Sequence, residues 1–217
     1  MMAERGDRLV VHEPFSHVAD FGAAEVDGRV VHSERELIDA LRRLAAERPV
    51  FFKDTTDFHY SELLRDTSFL AEAVHTFMIR DPNAAIASHY RLNPNLGRDE
   101  IGFAWLHEIY AAVRDATGVD PVVVDGDDLV AAPEAIVQAY CARVGIPYVP
   151  EALQWEPTVL PSWQRTARWH TSVSESSGFE PRREESPVDV EADPKLRAYL
   201  RYHRPYYDEL HARRLRF

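Results

Sequence analysis

Residues 75–91 read His-Thr-Phe-Met-Ile-Arg-Asp-Pro-Asn-Ala-Ala-Ile-Ala-Ser-His-Tyr-Arg, and this stretch decides the fold prediction. Its first part, His75–Ile79, is a short apolar run that ends at a charged pair, as a buried strand does. Asp81 followed by Pro82 then starts a helix that we expect to reach about Leu92, because Asp caps the first turn and Pro suits the first helical position. The stretch therefore predicts a strand that leads directly into a helix.

The same step recurs along the chain. Three further apolar runs end at charge or proline, and they are Leu9–His12, Val50–Phe52 and Pro121–Val124. Their apolarity is continuous rather than alternating, which predicts strands buried on both faces, as in a parallel sheet. Helical patterns separate the runs, so the alternation predicts an α/β fold with a parallel sheet flanked by helices.

Helix boundaries follow from caps and breakers. Ser33 and Glu36 have capping-box spacing before an apolar stripe, and other helical patterns end at Gly118 and Gly145. We expect a single domain over residues 1–217. Within it, residues 161–193 are polar and predict a long loop, and residues 194–217 predict a C-terminal helix that is interrupted at Pro205.

The composition excludes several classes of function. The 217 residues include 36 acidic and 25 basic side chains, a net charge of −11, which argues against bulk binding of nucleic acid. No run approaches the roughly 20 apolar residues that a membrane span needs, and the first residues lack the apolar core of a signal peptide. Cys141 is the only cysteine, so no internal disulfide and no cysteine-based zinc site can form. These features favour a cytoplasmic protein, and they leave the oligomeric state open.

Ligands of such sheets bind beyond the carboxyl ends of the strands, so the residues there are the candidates for function. An arginine fork at Arg80 and a hydroxyl at Ser88, eight residues later, form a plausible cradle for a phosphate near a helix start. The alternative is structural: Arg80 caps the sheet edge and pairs with Asp81, while Ser88 is a helix surface residue.

A second strand end carries acidic residues, Asp125, Asp127 and Asp128. A divalent cation would need converging oxygen ligands. The spacing is more typical of a strand-to-helix turn with a capping Asp, so we expect no metal ion here.

In these residues the chain resembles the PAPS-dependent sulfotransferases, and bacterial members in particular. The resemblance is strongest at His-Thr-Phe-Met-Ile-Arg-Asp-Pro with the following Ser88. It extends to His12-Glu13-Pro14-Phe15, Val50–Asp54 and residues 144–155. It implies a P-loop-like α/β architecture, no metal, and 3′-phosphoadenylyl sulfate (PAPS) as co-substrate, with Arg80 and Ser88 as ligands of its 3′-phosphate.

The resemblance also implies catalytic roles. Lys53 at the end of its strand would stabilise the migrating sulfonyl group; the structural alternative is a solvated lysine. The Lys-x-His of well-known members is absent, since Thr55 occupies the histidine position. The general base must come from elsewhere, and we expect His59 in preference to His17 or Asp57 because an imidazole suits proton abstraction near neutral pH.

Further residues complete the expected site. Arg168, or Arg165, would replace the arginine of the family's C-terminal loop, whose motif is absent here; a solvated loop arginine is the alternative. An acceptor pocket would use Phe15, Phe58 and Trp105.

The family's N-terminal loop for the 5′-phosphosulfate is also missing from this sequence. We expect either a start at an internal methionine, so that the chain lacks this element, or a natural protein without activity. The predicted function is sulfonyl transfer from PAPS to a hydroxyl of a small molecule. The alternatives are an inactive nucleotide-binding or interaction remnant of the fold and a nucleotide-dependent phosphotransferase.

Overall fold

A computed structural model describes residues 1–180 and 188–216, which form two compact units. The first unit contains Met1–Ala73 and Val149–Gly178, and the second contains Val74–Tyr148 and the described residues from Phe179 onward. Each unit has one pair of parallel strands accompanied by helices. This confirms the prediction of an α/β fold with parallel strands flanked by helices, although each ladder in the described ranges has only two strands.

The parallel pair of the first unit consists of β1 (Leu9–His12) and β4 (Val50–Lys53), which confirms both predicted strands. Their register places His12 directly opposite Lys53 at the carboxyl end of the pair. The N–H of Glu13 extends the ladder by donating to the carbonyl of Lys53 at 2.7 Å. The residues that follow both strands therefore begin side by side.

A hairpin in the first unit was not predicted. β2 (Ala24–Val26) and β3 (Arg29–Val31) pair antiparallel around Asp27 and Gly28. Both turn residues have positive φ, at 52° and 75°, as a type I′ turn requires. The Asp-Gly pair between two short β-branched segments is the sequence signal for this hairpin.

Helices surround the strands of the first unit. They are α1 (Pro14–Phe21), α2 (Glu34–Glu47), α3 (Ser61–Arg65), α4 (Thr67–Glu72) and α9 (Thr171–Ser174). The predicted start of α2 is confirmed, because the Ser33 hydroxyl accepts the N–H of Glu36 at 3.2 Å. The carboxylate of Glu36 in turn accepts the N–H of His32 at 2.8 Å. One N–H of the first turn, and the N–H of the residue before the N-cap, are thus satisfied locally.

The segment predicted as a long loop, residues 161–193, contains two short helical pieces. A 3-10 helix spans Pro161–Trp169 and α9 follows it, which corrects the expectation of irregular chain there. Pro161 begins the first piece, and the Trp163 ring stacks on the His170 ring at 4.9 Å, an anchor that a polar pattern does not reveal. Residues 181–187 of the predicted loop lie outside the described residues.

The second unit is built on β5 (Thr76–Ile79) and β6 (Val122–Asp125), which pair in parallel with Ile79 opposite Asp125. We predicted that the strands are buried on both faces. This is not true along the whole of β5, because Met78 is 61% exposed. The helices of this unit are α5 (Pro82–Leu92), α6 (Phe103–Thr117), α7 (Gly126–Ala131), α8 (Pro133–Val144) and α10 (Pro194–Ala212). The predicted ends of α5, α6 and α8 are confirmed.

The C-terminal helix α10 continues through Pro205, which corrects the predicted interruption. A proline inside a helix costs about 3 kcal/mol because it removes one hydrogen bond and crowds the preceding turn. Here Pro205 faces solvent, while His203, Tyr207 and Leu210 on either side are buried. Burial of that apolar face outweighs the local cost. Residue 217, which the prediction included, lies outside the described residues.

α10 packs on α5 to form one core of the second unit. The buried side chains of this core are Ile86, Ala87, Val190, Leu196 and Leu200. This packing fixes the face of α5 that points inward and leaves its other face for the residues discussed below. No helix within residues 1–180 and 188–216 combines the length and the apolarity that a membrane crossing requires.

Candidate functional site

In the second unit, Arg80 and Asp81 occupy the junction between β5 and α5. One oxygen of Asp81, Oδ1, accepts the N–H groups of Asn83 and Ala84 at 2.9 and 3.3 Å and so caps the helix. The other oxygen, Oδ2, accepts a hydrogen bond from Arg204 Nη1 at 2.9 Å. The carboxylate of Asp81 is therefore satisfied by α5 and α10, and balancing its charge does not require Arg80, which is half-buried at the strand end.

Ser88 is the seventh residue of α5 and is half-buried. With a rise of 1.5 Å per residue, it lies about 9 Å along the helix axis from Pro82. It is also about 160° around the axis from Tyr90, which packs in the cluster shared with α10. The hydroxyl of Ser88 thus lies on the side of α5 that α10 does not cover.

The acidic strand end at Asp125 is a helix cap, as predicted. Asp125 Oδ1 accepts the N–H groups of Asp127 and Asp128 at 2.9 and 3.2 Å. Its Oδ2 accepts the hydroxyl of Tyr207 at 3.3 Å, and burial raises the pKa of that phenol. Both oxygens of Asp125 are engaged, which explains why an acid sits 3% exposed at this position.

In the first unit, Lys53 forms an ion pair with Glu13 Oε1. The Lys53 side chain is 49% exposed, whereas that of Glu13 is 8% exposed. Glu13 has a left-handed backbone, with φ 45° and ψ 46°, immediately before Pro14. This conformation is costly for a residue other than glycine and turns the Glu13 side chain back to the ends of β1 and β4.

The surroundings of Glu13 favour its ionised form. Burial by itself raises the pKa of this carboxyl, but hydrogen bonding to His12 and the nearby Lys53 ammonium outweigh it and hold the pKa at about 2. The Glu13 Oε2 atom lies 3.4 Å from His12 Nε2. Glu13 is therefore a fixed negative charge at neutral pH, poorly suited to accept a proton from an alcohol.

Two histidines meet beside this carboxylate. The Nε2 atoms of His12 and His170 are 3.2 Å apart, although the residues are 158 positions apart in sequence. Thr166 Oγ1 lies 3.1 Å from His170 Nε2, and the Trp163 ring stacks on the His170 imidazole. We call His12, Glu13 and His170 the histidine–carboxylate cluster. Their ligand atoms all lie within 4.8 Å of one another.

His17 lies beside the cluster, with its ring 6.2 Å from that of His12. Its Nε2 atom is buried and has no hydrogen-bond partner among the described residues. Burial lowers the pKa of His17 and also that of His170. Both imidazoles are therefore biased to the neutral form near pH 7.

Asp54, which follows Lys53, caps a helix from a distant part of the chain. Its carboxylate accepts the N–H groups of Phe15 and Ser16 at 2.7 and 2.9 Å, and the Ser16 hydroxyl at 2.5 Å. These N–H groups belong to the first turn of α1, whose own N-cap supplies no side-chain bond. Burial raises the pKa of Asp54 to about 6 despite these hydrogen bonds. Asp54 thus orients α1 relative to β4.

The three predicted candidates for the general base lie in different settings. His59 is exposed on the segment between β4 and α3. Asp57 is half-buried and accepts a hydrogen bond from the Thr55 hydroxyl. His17 presents a buried nitrogen, as described above. Accessibility therefore favours His59 among the three.

Arg168 and Arg165 both lie on the 3-10 helix of residues 161–169 and are exposed. The Arg165 guanidinium lies 3.8 Å from the centre of the Phe21 ring, and that of Arg168 lies 4.7 Å from the Trp169 ring. Both contacts are cation–π interactions of the kind that surface arginines often make. Arg168 is thus a surface cation of the first unit.

The aromatic residues expected to line an acceptor pocket differ in their exposure to solvent. Phe15 is 1% exposed and packs against the rings of Phe52 and Tyr60. It belongs to the core of the first unit, which argues against its role in lining an acceptor pocket. Phe58 in the first unit and Trp105 in the second are half-buried.

The structure adds Glu13 and His170 to the candidate residues. The position of Glu13 at a strand end was visible in the sequence, but nothing local indicated that Pro14 would follow a left-handed turn and direct the carboxylate to Lys53. His170 lies in a polar segment, and only the folded chain brings it to His12.

Comparison with protein families identifies one matching model. A family model described as a sulfotransferase domain matches residues 2–214, which is nearly the whole chain. The match includes both units and every candidate residue described above.

A curated relative is the branched-chain-amino-acid aminotransferase-like protein 2 of Arabidopsis thaliana. It is 28% identical over 114 residues, which are 52% of this chain and 20% of that protein. The matched segment therefore spans about half of this chain and a fifth of that longer protein. No solved structure matches.

Proposed function

Because the chain belongs to the sulfotransferase domain family, we propose that it moves a sulfonyl group from PAPS to a hydroxyl of a small-molecule acceptor. The observation that carries the proposal is the strand-to-helix step at Arg80, Asp81 and Ser88. Asp81 holds the start of α5 and is balanced by Arg204, so Arg80 is not required to neutralise it. A guanidinium at the capped start of a helix and a hydroxyl two turns further along it are both groups that bind phosphate.

The 3′-phosphate of the donor is assigned to Arg80 and Ser88. Arg80 supplies planar donors and a permanent charge, and Ser88 supplies a hydroxyl on the face of α5 away from α10. The carboxylate of Asp81 would repel an anion if it were uncompensated. Its pairing with Arg204 at 2.9 Å reduces that repulsion.

Lys53 is assigned to the transferring sulfonyl group. About half of its side chain remains accessible although it pairs with Glu13, so its ammonium can also contact an anionic ligand. In an in-line transfer, negative charge develops on the oxygens around sulfur, and a positioned cation stabilises that charge. His59 is assigned to deprotonation of the acceptor hydroxyl, because it is an exposed imidazole on the segment that follows this strand.

The test compares two nucleotides that differ by one phosphate. Calorimetric titration of 3′-phosphoadenosine 5′-phosphate and of AMP into the full chain measures the affinity due to the 3′-phosphate. We expect tighter binding of the bisphosphate, and we expect Arg80→Ala to weaken it about 10- to 100-fold with little change for AMP, because a hydrogen bond to a charged group contributes about 1.5–3 kcal/mol. Arg201→Ala removes an exposed arginine of α10 and is the matched control.

The same titration separates the alternatives. Equal affinity for both nucleotides, or binding of ATP that requires magnesium, would favour a phosphotransferase. Absence of nucleotide binding by a chain with a native circular-dichroism spectrum would favour an inactive member of the family. Loss of affinity in Arg201→Ala as large as in Arg80→Ala would contradict the assignment of the 3′-phosphate to Arg80.

A further inference from the structure

We propose that the histidine–carboxylate cluster of the first unit, His12, Glu13 and His170, is a binding site for a divalent transition-metal ion such as Zn²⁺. The ligand atoms would be the Nε2 atoms of the two imidazoles and Oε2 of Glu13. The inference goes beyond the proposed sulfonyl transfer. It does not depend on Arg80 or Ser88, which belong to the second unit.

Two of the three distances between ligand atoms of the cluster match those of a tetrahedral site. Two ligand atoms that each lie about 2.0–2.1 Å from Zn²⁺ are about 3.3–3.4 Å apart. The observed separations are 3.2 Å between His12 Nε2 and His170 Nε2, and 3.4 Å between His12 Nε2 and Glu13 Oε2. The third pair, His170 Nε2 and Glu13 Oε2, lies within 4.8 Å. One metal ion can therefore contact all three atoms once these two groups close to the same spacing.

Hydrogen bonds alone explain the convergence of these three groups less well than a bound metal ion does. The Nε2 atom of His12 faces both another imidazole nitrogen and a carboxylate oxygen. A neutral imidazole nitrogen is either a donor or an acceptor, and a single N–H points well at only one of two partners. A metal ion accepts a lone pair from all three groups at once, so it accounts for the convergence.

The ligands are also held in place by neighbouring groups, as metal ligands usually are. Lys53 binds Oε1 of Glu13, which leaves Oε2 directed to His12. Trp163 stacks on the His170 ring with an angle of 20° between the planes. Parallel pairing of β1 with β4 fixes the backbone of His12. The site is therefore preorganised by three separate elements.

The chemistry of the ligands selects the class of ion. Two imidazoles and one carboxylate suit Zn²⁺, Co²⁺ and Ni²⁺, whereas Mg²⁺ and Ca²⁺ prefer oxygen ligands. Three protein ligands leave a fourth tetrahedral position for water or a substrate group, as in catalytic rather than structural zinc sites.

The experiment uses the full chain after treatment with a chelator. Titration with ZnCl₂ by calorimetry is expected to show one site per chain with a dissociation constant in the micromolar range or below. His12→Ala and His170→Ala are each expected to weaken binding at least 100-fold. His32→Ala removes an exposed histidine of the same unit and is expected to leave the affinity unchanged. MgCl₂ is expected not to bind.

A second measurement guards against variants that fail to fold. Titration of the unmodified chain with Co²⁺ is expected to produce visible absorption of a tetrahedral complex, and Zn²⁺ is expected to displace it. The proposal is overturned if the folded, unmodified chain binds no Zn²⁺ at micromolar concentration. It is also overturned if one-to-one binding persists in His12→Ala and His170→Ala. Nucleotide affinity is measured separately, so the failure of one proposal does not imply the failure of the other.

Discussion

The carboxylates of Glu13 and Asp54 are both largely buried in the first unit, yet their surroundings move their pKa values in opposite directions. Hydrogen bonding to His12 and the positive charge of Lys53 together outweigh the effect of burial on Glu13, and its pKa falls to about 2. Asp54 receives only neutral N–H and O–H donors, and burial raises its pKa to about 6. A neighbouring charge therefore decides which buried acid remains ionised under mildly acidic conditions.

The raised pKa of Asp54 predicts a dependence of stability on pH. The ordinary pKa of an aspartate is near 3.9, so between about pH 4 and 6 the folded chain holds a proton that the unfolded chain has lost. The contribution of Asp54 is therefore fully present below about pH 4 and is lost as pH rises through about 6. In Asp54→Asn this contribution is absent. The difference in unfolding free energy between the parent and the variant should change by roughly 2 kcal/mol between pH 4 and 6.5.

Urea denaturation at a series of pH values measures this difference. Asp39→Asn, an exposed carboxylate on α2, is the control for removing one acidic side chain. A constant difference between parent and Asp54→Asn from pH 4 to 6.5 would show that Asp54 has an ordinary pKa in the folded chain.

At the scale of elements, the β2–β3 hairpin depends on its two-residue turn. Gly28 has φ 75°, and an added Cβ would meet no atom within 4 Å. Replacement by alanine thus tests backbone conformation without a steric clash. We expect Gly28→Ala to lower the free energy of unfolding by about 1–2 kcal/mol, because a left-handed backbone costs that much for a residue with Cβ. Thermal or urea denaturation measures the change.

Gly97→Ala is the matched control for the hairpin. Gly97 does not have a left-handed φ, and its added Cβ would make only an ordinary contact, 3.6 Å from Glu100 Oε2. The same substitution there is expected to be neutral or to stabilise by up to about 1 kcal/mol, since alanine restricts the unfolded chain. Equal destabilisation by both substitutions would contradict the explanation from backbone strain.

On the scale of the whole molecule, the residues assigned to the 3′-phosphate and those assigned to the metal ion belong to different units. Arg80 and Ser88 lie in the second unit, and the histidine–carboxylate cluster lies in the first. The overall net charge of −11 opposes an anionic ligand at long range, so binding of the nucleotide relies on local cations such as Arg80. The negative net charge does not oppose the binding of a metal cation.

Hydrogen exchange followed by mass spectrometry can locate each ligand. Saturation with 3′-phosphoadenosine 5′-phosphate is expected to slow exchange of amides in β5 and α5, by up to about 100-fold at a concentration 100 times the dissociation constant. Saturation with Zn²⁺ is expected to slow exchange around β1, α1 and residues 161–174. Protection of the first unit alone by the nucleotide would contradict the assignment to Arg80 and Ser88.

The parts of the fold that the sequence predicted are those with local causes. Asp81 and Asp125 cap the helices that directly follow them, and Ser33 bonds to Glu36 three residues later. The Asp27-Gly28 hairpin has an equally local cause, and its short strands obscured the pattern. Pro205 was misjudged because the penalty for proline is local, whereas the burial that overcomes it comes from packing of α10 against the rest of the second unit.

The amino-acid sequence by itself determined the order of strands and helices, their caps, and the candidate residues at the strand ends, because these depend on atoms within about four residues of one another. Only the tertiary structure decided which side chains meet. Lys53 with Glu13, Asp54 with α1, and His12 with His170 are contacts between residues 40, 38 and 158 positions apart. Such contacts depend on strand register and on the direction of a single left-handed turn, and neither leaves a mark in local composition.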